Sequence, residues 1–437
     1  MSAPALAVSG AASYPAAMRL FAGLALMLAT PVLAQTAPPF PPHAPAASDP
    51  ATWRTRLVLG FDATGAEQTR LAEGAADASG RRVDSDTLVR VASISKLTVA
   101  IAVMRLVEQR RLDLDADVSR YLGWTLRHPA HPTRPITLRQ LLSHRAGLSD
   151  GAGYLLPLDG DLEAHLRQPA AWEASRAPGG DFRYANVNFP VVAAAMEGAT
   201  GERFDQLMQR LVFRPLNIEA CFNWSGCTPA AAARAQTLYR PSGEVARDDL
   251  RGALPACPVT PASDGSCDLS RYRLARNGSS FSPQGGLRIS ARGLARIGQM
   301  LLRDGDRLLR PESARALLRS PRDVRSLGTT VGEGGEGAFF CRYGLALHAL
   351  ATRRAGCRDD PFGDGVTRLG HSGEAYSLRA GMYIDPRRRD GVVWIVTGLP
   401  EIGATSGARS DFSAAEEAAL TAAGYPNPPS RASARAR

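Results

Sequence analysis

Val91-Ala92-Ser93-Ile94-Ser95-Lys96 opens a stretch in which Ile94, Leu97, Ile101 and Met104 recur at helical spacing. Apolar residues three and four apart form the stripe by which a helix packs on a core. Thr87 to Val91, just before it, is β-branched and apolar and reads as a short strand. Ser93 is a favoured N-cap residue, so the helix is expected to begin there and to end near Glu108. The stretch also holds the only lysine of the chain: of 52 basic residues, all but Lys96 are arginine. A guanidinium keeps its proton in any protein, whereas a desolvated ammonium gives its proton up. Lys96 therefore marks a position where a removable proton matters, and Ser93, three residues earlier, shares its helix face.

Strand patterns appear on both sides of this helix in the sequence. Arg56–Phe61 precedes it, while Tyr343–Ala349, Ser377–Ile384 and Val392–Thr397 come late. Between them, residues 98–320 are mostly helical pattern, including Thr137–Ser143, Phe189–Ala199, Arg203–Val212 and Ala291–Arg303, and Ser413–Ala423 reads as a final helix. Strands at the two ends around a helical middle predict an α+β fold with a large helical insertion.

The N-terminus reads as an export signal. Met18-Arg19-Leu20 gives a positive start, Phe21–Thr30 is apolar, and Pro31-Val32-Leu33-Ala34 ends in a small residue suited to cleavage. Residues 1–34 are thus expected to be a signal peptide, with Met18 an alternative start. The apolar stretch is too short for a membrane span. Residues 35–50 form a Pro/Ala linker, and the basic, Pro-rich residues 426–437 read as a disordered tail. The expected location is periplasmic or secreted. Six cysteines fit an oxidising compartment, and the favoured pairs are Cys221–Cys227, Cys257–Cys267 and Cys341–Cys357, each closing a short excursion.

Net charge is +10, but the arginines are mixed with 42 acidic residues and form no basic run with interleaved aromatics. Nucleic acid is therefore a poor partner for this chain. With no Cys-x-x-Cys and no His-Glu-x-x-His, the reading calls for no metal and no cofactor. The expected partner is a small-molecule or peptide substrate, and the oligomeric state stays open.

Three elements carry chemistry. Ser93 and Lys96 supply a hydroxyl and a base on one helix face, near N–H groups that can face a developing oxyanion. Tyr184-Ala185-Asn186 puts a phenol and an amide beside one short loop, and a phenol near ammonium groups can be held partly ionised and shuttle a proton. Read apart, Tyr184 is more simply a half-buried aromatic and Asn186 a cap for the helix that follows. Gly370-His371-Ser372-Gly373-Glu374 precedes a strand and could line a substrate carboxylate, with Glu374 lending a backbone N–H; alone it is equally a Gly-rich turn with a surface histidine.

Taken together, Ser93-x-x-Lys96, Tyr184-x-Asn186 and His371-Ser372-Gly373 resemble, in order and spacing, the serine hydrolases related to class C β-lactamases. Ile136–Leu148 and Ser282-Pro283-Gln284-Gly285-Gly286-Leu287 extend the resemblance. It implies an antiparallel sheet flanked by helices, the β-lactamase/transpeptidase-like fold, over residues 51–425. It also implies Ser93 as nucleophile, Lys96 as base and Tyr184 as proton relay. Asn186, His371, Ser372, Gly373 and Glu374 would bind substrate, the N–H groups of Ser93 and Glu374 forming the oxyanion hole. His144 would be structural, holding the turn at Gly147. The family's β-lactamases carry lysine where His371 stands, and a neutral imidazole anchors a carboxylate less well; Arg379 on the same strand is a candidate replacement. An ester or D-amino-acid peptide or amide is the expected substrate. The alternatives are a β-lactamase or a non-catalytic penicillin- or peptidoglycan-binding protein.

Overall fold

The computed structural model describes residues 54–426, apart from 78, 241–243, 247–252, 325–338 and 400–405. The expected signal peptide and linker, and all of the expected tail but Pro426, lie outside the described residues.

Eight antiparallel strands make the main sheet, in the order β2-β1-β11-β10-β9-β8-β7-β6. They are β1 (Thr55–Asp62), β2 (Glu67–Gly74), β6 (Arg322–Asp323), β7 (Arg342–Tyr343), β8 (His348–Ala349), β9 (Leu369–Ala375), β10 (Leu378–Asp385) and β11 (Asp390–Thr397). A smaller sheet joins β3 (Val89–Arg90), β4 (Ala220–Phe222) and β5 (Leu287–Ile289). The helical middle of the sequence is inserted between β2 and β6, as the α+β reading requires.

Side-chain alternation explains the three layers. Leu57, Leu59 and Phe61 of β1, with Ala380, Met382 and Ile384 of β10, face a core shared with the helices Ser95–Glu108 and Ala291–Leu302. Val58, Tyr383, Trp394 and Val396 face the opposite way, against Ala415, Ala419 and Leu420 of the helix Ala414–Ala422. Central strand β11 is covered on both faces, which is why Val392–Val396 is a continuous apolar run rather than an alternating one.

Several boundaries differ from the sequence reading. The expected strand Thr87–Val91 pairs only at Val89 and Arg90. Tyr343–Ala349 divides into β7 and β8, because Ala346 adopts a left-handed φ of 51° and turns the chain between them. Arg203–Val212 divides into an α-helix, Phe204–Met208, and a wider π turn, Gln209–Phe213. Ser413 caps the last helix through a capping box with Glu416, as does Thr137 with Gln140 for the helix Leu138–Leu142. All three expected disulfides are present, with Cα–Cα distances of 5.4, 5.6 and 5.9 Å. Among the described residues, no helix is long and apolar enough to cross a membrane.

Candidate active site

Ser93 does not cap the helix that carries Lys96. Ala92 turns the chain with a φ of 47°, Ala92–Ile94 form a 3₁₀ turn, and the α-helix starts at Ser95. Ser95 does the local work instead: its hydroxyl donates to the Ala92 carbonyl at 2.6 Å and accepts the Leu287 N–H at 3.0 Å. The Ser93 hydroxyl is thereby left for Lys96, whose Nζ lies 2.9 Å from Ser93 Oγ.

Lys96 is completely buried. Its Nζ also contacts Asn186 Oδ1 at 2.9 Å and the Gln284 carbonyl at 2.8 Å. These two partners can only accept, whereas the serine hydroxyl can donate as well as accept. A neutral amine, with two N–H donors and one lone pair, therefore satisfies all three contacts in one arrangement: it donates to Asn186 and Gln284 and receives the Ser93 proton. The charge balance favours that form. Burial lowers the Lys96 pKa to about 7, with the Asp150 charge opposing the shift.

Tyr184 is fixed from both faces. His144 stacks against its ring at 4.2 Å and Phe340 at 5.1 Å, and Lys96 Nζ lies 4.8 Å from the ring centre. Burial pushes the phenol well above its ordinary value, opposed by a hydrogen bond with the Ser93 side chain. This corrects the expectation of a partly ionised tyrosine: the single nearby amine is itself poised to lose its proton, so desolvation wins. Tyr184 is therefore a phenol that holds its proton. His144 stands behind this ring and not at Gly147, as the sequence reading had it. Its Nδ1 accepts from the Ala185 N–H at 3.2 Å, and burial keeps the imidazole neutral.

Strand β9 closes the other side. A Cβ on Gly373 would come within 2.2 Å of the Val91 carbonyl, so only glycine lets the strand approach the Ser93 turn this closely. β8 pairs with β9 at His348↔Gly370 and Ala349↔Leu369, and Leu350 N–H donates to the Arg368 carbonyl at 2.8 Å. Ladder groups alternate in direction along a strand, so the N–H of Glu374, like those of Arg368, Gly370 and Ser372, points away from β10. Past Gly370 this edge extends beyond the pairing with β8 and lies beside the Ser93 turn.

The same alternation corrects the side-chain assignments. His371 shares a face with Gly373 but is buried, and both ring nitrogens are engaged. Nδ1 lies 2.6 Å from the Ser372 carbonyl and so carries the proton, leaving Nε2 to accept from the Tyr343 hydroxyl at 2.8 Å. Burial, reinforced by the Lys96 charge, lowers its pKa to about 3. This imidazole therefore supports the aromatic wall around Tyr184 rather than holding a substrate carboxylate. Ser372 projects to the other face, 2.7 Å from the Tyr383 hydroxyl. Arg379 is on that face too, paired with Glu374 at 2.8 Å, and is no substitute anchor for a carboxylate.

Two contributors were not recognised in the sequence. The Gln284 carbonyl, from the Gly-rich Ser282–Leu287 loop, is a main-chain acceptor with no side-chain signature. Asp150 accepts the Asn186 N–H at 2.8 Å, the Asn186 Nδ2 at 2.9 Å and the Val187 N–H at 2.9 Å. Asn186 is therefore engaged at both ends of its amide, tying Lys96 to Asp150. Among the described residues, no group of three or more His, Cys, Asp or Glu side chains is arranged to hold a metal.

A serine hydroxyl against a buried, deprotonatable amine, with a protonated phenol beside it and a strand edge opposite, is the arrangement of an active-serine hydrolase. The chain belongs to the Beta-lactamase family, whose model matches residues 58–416, among the serine hydrolases related to class C β-lactamases. It is 36% identical over 168 residues to Esterase EstB of Burkholderia gladioli, a match covering 35% of this chain and 43% of that protein. It is 28% identical over 196 residues to D-alanyl-D-alanine-carboxypeptidase/endopeptidase AmpH of Escherichia coli (strain K12), covering 42% and 46%. Each match thus spans less than half the length of the relative. Among solved structures, D-amino acid amidase from Ochrobactrum anthropi SV3 shares the fold, with a TM-score of 0.59 at 16% identity over 85% of this chain and 93% of that one.

Proposed function

We propose that this protein is an exported serine hydrolase that forms an acyl-Ser93 intermediate on an ester or a D-amino-acid peptide or amide, with esters the better fit. The observation that carries the reading is the 2.9 Å contact between Ser93 Oγ and a Lys96 Nζ whose other two partners can only accept. Lys96 takes the Ser93 proton as Oγ attacks the carbonyl carbon. The N–H groups of Ser93 and Glu374 receive the developing oxyanion, and Tyr184 passes a proton to the leaving group as its bond to the acyl carbon breaks, taking the Lys96 proton in its place. Water then attacks the acyl-serine while giving a proton to Lys96, and that proton passes to Ser93 Oγ as its bond to the acyl carbon breaks, returning the hydroxyl, the amine and the phenol. Asn186 serves mainly to hold Lys96.

Esters are favoured because the β9 and β10 residues expected to bind a substrate carboxylate do not offer one a cation. His371 is neutral and sealed, and Arg379 is on the opposite face of the sheet. The likeness to an esterase and to a D-alanyl-D-alanine carboxypeptidase supports this substrate range. Three disulfides support export to an oxidising compartment. The test compares p-nitrophenyl butyrate, a D-Ala-D-Ala peptide and a chromogenic cephalosporin on the parent chain and on Ser93→Ala. Ester turnover lost in Ser93→Ala, with a butyryl adduct on Ser93 by mass spectrometry, is the expected result. Hydrolysis surviving in Ser93→Ala would refute the nucleophile, and rapid cephalosporin turnover would refute the substrate preference.

A further inference from the structure

Asp150 stands two residues beyond the Ile136–Leu148 signature and has no part in the chemistry described above. Its position is nonetheless specific. Three donors converge on the carboxylate: the backbone N–H groups of Asn186 and Val187, and the Asn186 side-chain amide. A carboxylate can only accept, so the Asn186 nitrogen must face Asp150 and the Asn186 oxygen must face Lys96, where it lies at 2.9 Å. In the reverse orientation an amide donor would face the amine's own N–H groups. A single side chain therefore decides which way the amide beside the base is turned.

Asp150 also carries charge. The groups facing Lys96 are Ser93, the Tyr184 and Phe189 rings, the Asn186 amide and the Gln284 carbonyl, with His144 and His371 within electrostatic range. The two histidines are neutral and Tyr184 keeps its proton, with Asp150 and, more weakly, Glu374 acting on it. Asp150 is the carboxylate that acts on Lys96 itself.

We propose that Asp150 is a positioning residue for the Ser93–Lys96 pair: it locks the Asn186 amide toward the base and supplies the negative charge against which the base is set. The idea rests on the reading of Lys96 as general base, so its test observes Lys96 directly. Because Lys96 is the only lysine, the full chain grown with lysine carbon-13 labelled at Cε gives one lysine signal, whose shift follows the amine through its titration. A charge separated from the amine by one hydrogen-bonded amide, at an effective dielectric between about 20 and 80, moves that midpoint by roughly one pH unit. Asp150→Asn should lower the midpoint by about that much and move the acid limb of ester hydrolysis the same way. It should also reduce kcat by about tenfold or more as the amide loses its fixed orientation. Asp150→Glu, which keeps the charge, should return the midpoint to within a few tenths of a unit of the parent. Asp150→Ser gives the same reading if the asparagine variant does not fold. A midpoint unmoved or raised in the neutral variant, with kcat reduced, would reduce Asp150 to a structural role and overturn the proposal. The signal titrates whether or not Ser93 is the nucleophile, so the two readings fail separately.

Discussion

The variant Lys96→Arg keeps the positive charge and deletes the proposed base. In the parent, Nζ is fully buried, contacts Ser93, Asn186 and Gln284 at 2.8–2.9 Å, and titrates near 7. At pH 8 roughly nine-tenths of such amines are neutral and able to take the Ser93 proton. Deprotonating an arginine at that pH, more than four units below its ordinary value at about 1.36 kcal/mol each, costs about 6 kcal/mol. General-base catalysis is typically worth about 10²- to 10⁴-fold, and that free energy exceeds the whole range, so the contribution disappears. The expected result is a fall in kcat for p-nitrophenyl butyrate of at least about 10³-fold, with the folded state verified by near-ultraviolet circular dichroism. Lys96→Met, an unbranched replacement without an ionisable group, should lose as much. A folded Lys96→Arg enzyme within tenfold of the parent at pH 8 would refute the base assignment.

Four further outcomes follow from the same geometry. The acid limb of kcat/KM should have its midpoint near pH 7, falling to about a hundredth of the plateau at pH 5; a profile flat between 5 and 8 would contradict a buried lysine base. The unfolded chain keeps the same proton up to the ordinary value of 10.5, so the lysine's contribution to stability is fully present above 10.5 and lost as pH falls to about 7. Denaturant titrations should show that pH slope flattened in Lys96→Met. Tyr184→Phe preserves the ring stack and removes the relay, so kcat should fall about 10²- to 10⁴-fold while stability changes by about 1 kcal/mol or less; a small activity loss with a large stability loss would reverse that assignment. Gly373→Ala forces β9 away from Val91, and should cost about 1–3 kcal/mol of stability together with most of the activity; parent-like values for both would mean that the close approach is dispensable.

The parts of the site legible in the sequence are those set by short-range periodicity. Ser93 and Lys96 lie one turn apart, and Tyr184 and Asn186 two residues apart, so local geometry already groups each pair. Period-two alternation was equally available for His371–Glu374. It separates Ser372 and Glu374 from His371 and Gly373, a division missed when the four were read as one lining. The sheet was legible because its strands are apolar on known faces, whereas β7 and β8 were merged because nothing in Gly344–Leu347 announces the left-handed Ala346. Serine is usually a helix cap, so Ser93 reads as one; the α-helix starts instead at Ser95 with no side-chain cap, after a left-handed φ at Ala92 that composition does not reveal. Asp150 and the Gln284 carbonyl reach Lys96 across the fold, one through an intervening amide and one through the main chain. No spacing rule in the sequence encodes either.

The pairing of β1 with β11 joins Thr55 to Thr397, and β9 reaches the Ser93 turn from the far end of the sequence. In time this means that the site is assembled last. A chain emerging N-terminus first delivers Ser93 and Lys96 early and the β9 edge only near the end. Long-range antiparallel pairing closes slowly, because the entropy of a large loop is lost before the contact rewards it. Until β9–β11 arrive, the edge that carries the Glu374 N–H is missing beside Ser93 and Lys96. The order of the strands along the chain is therefore also a schedule, in which the site is complete only once the C-terminal strands have paired.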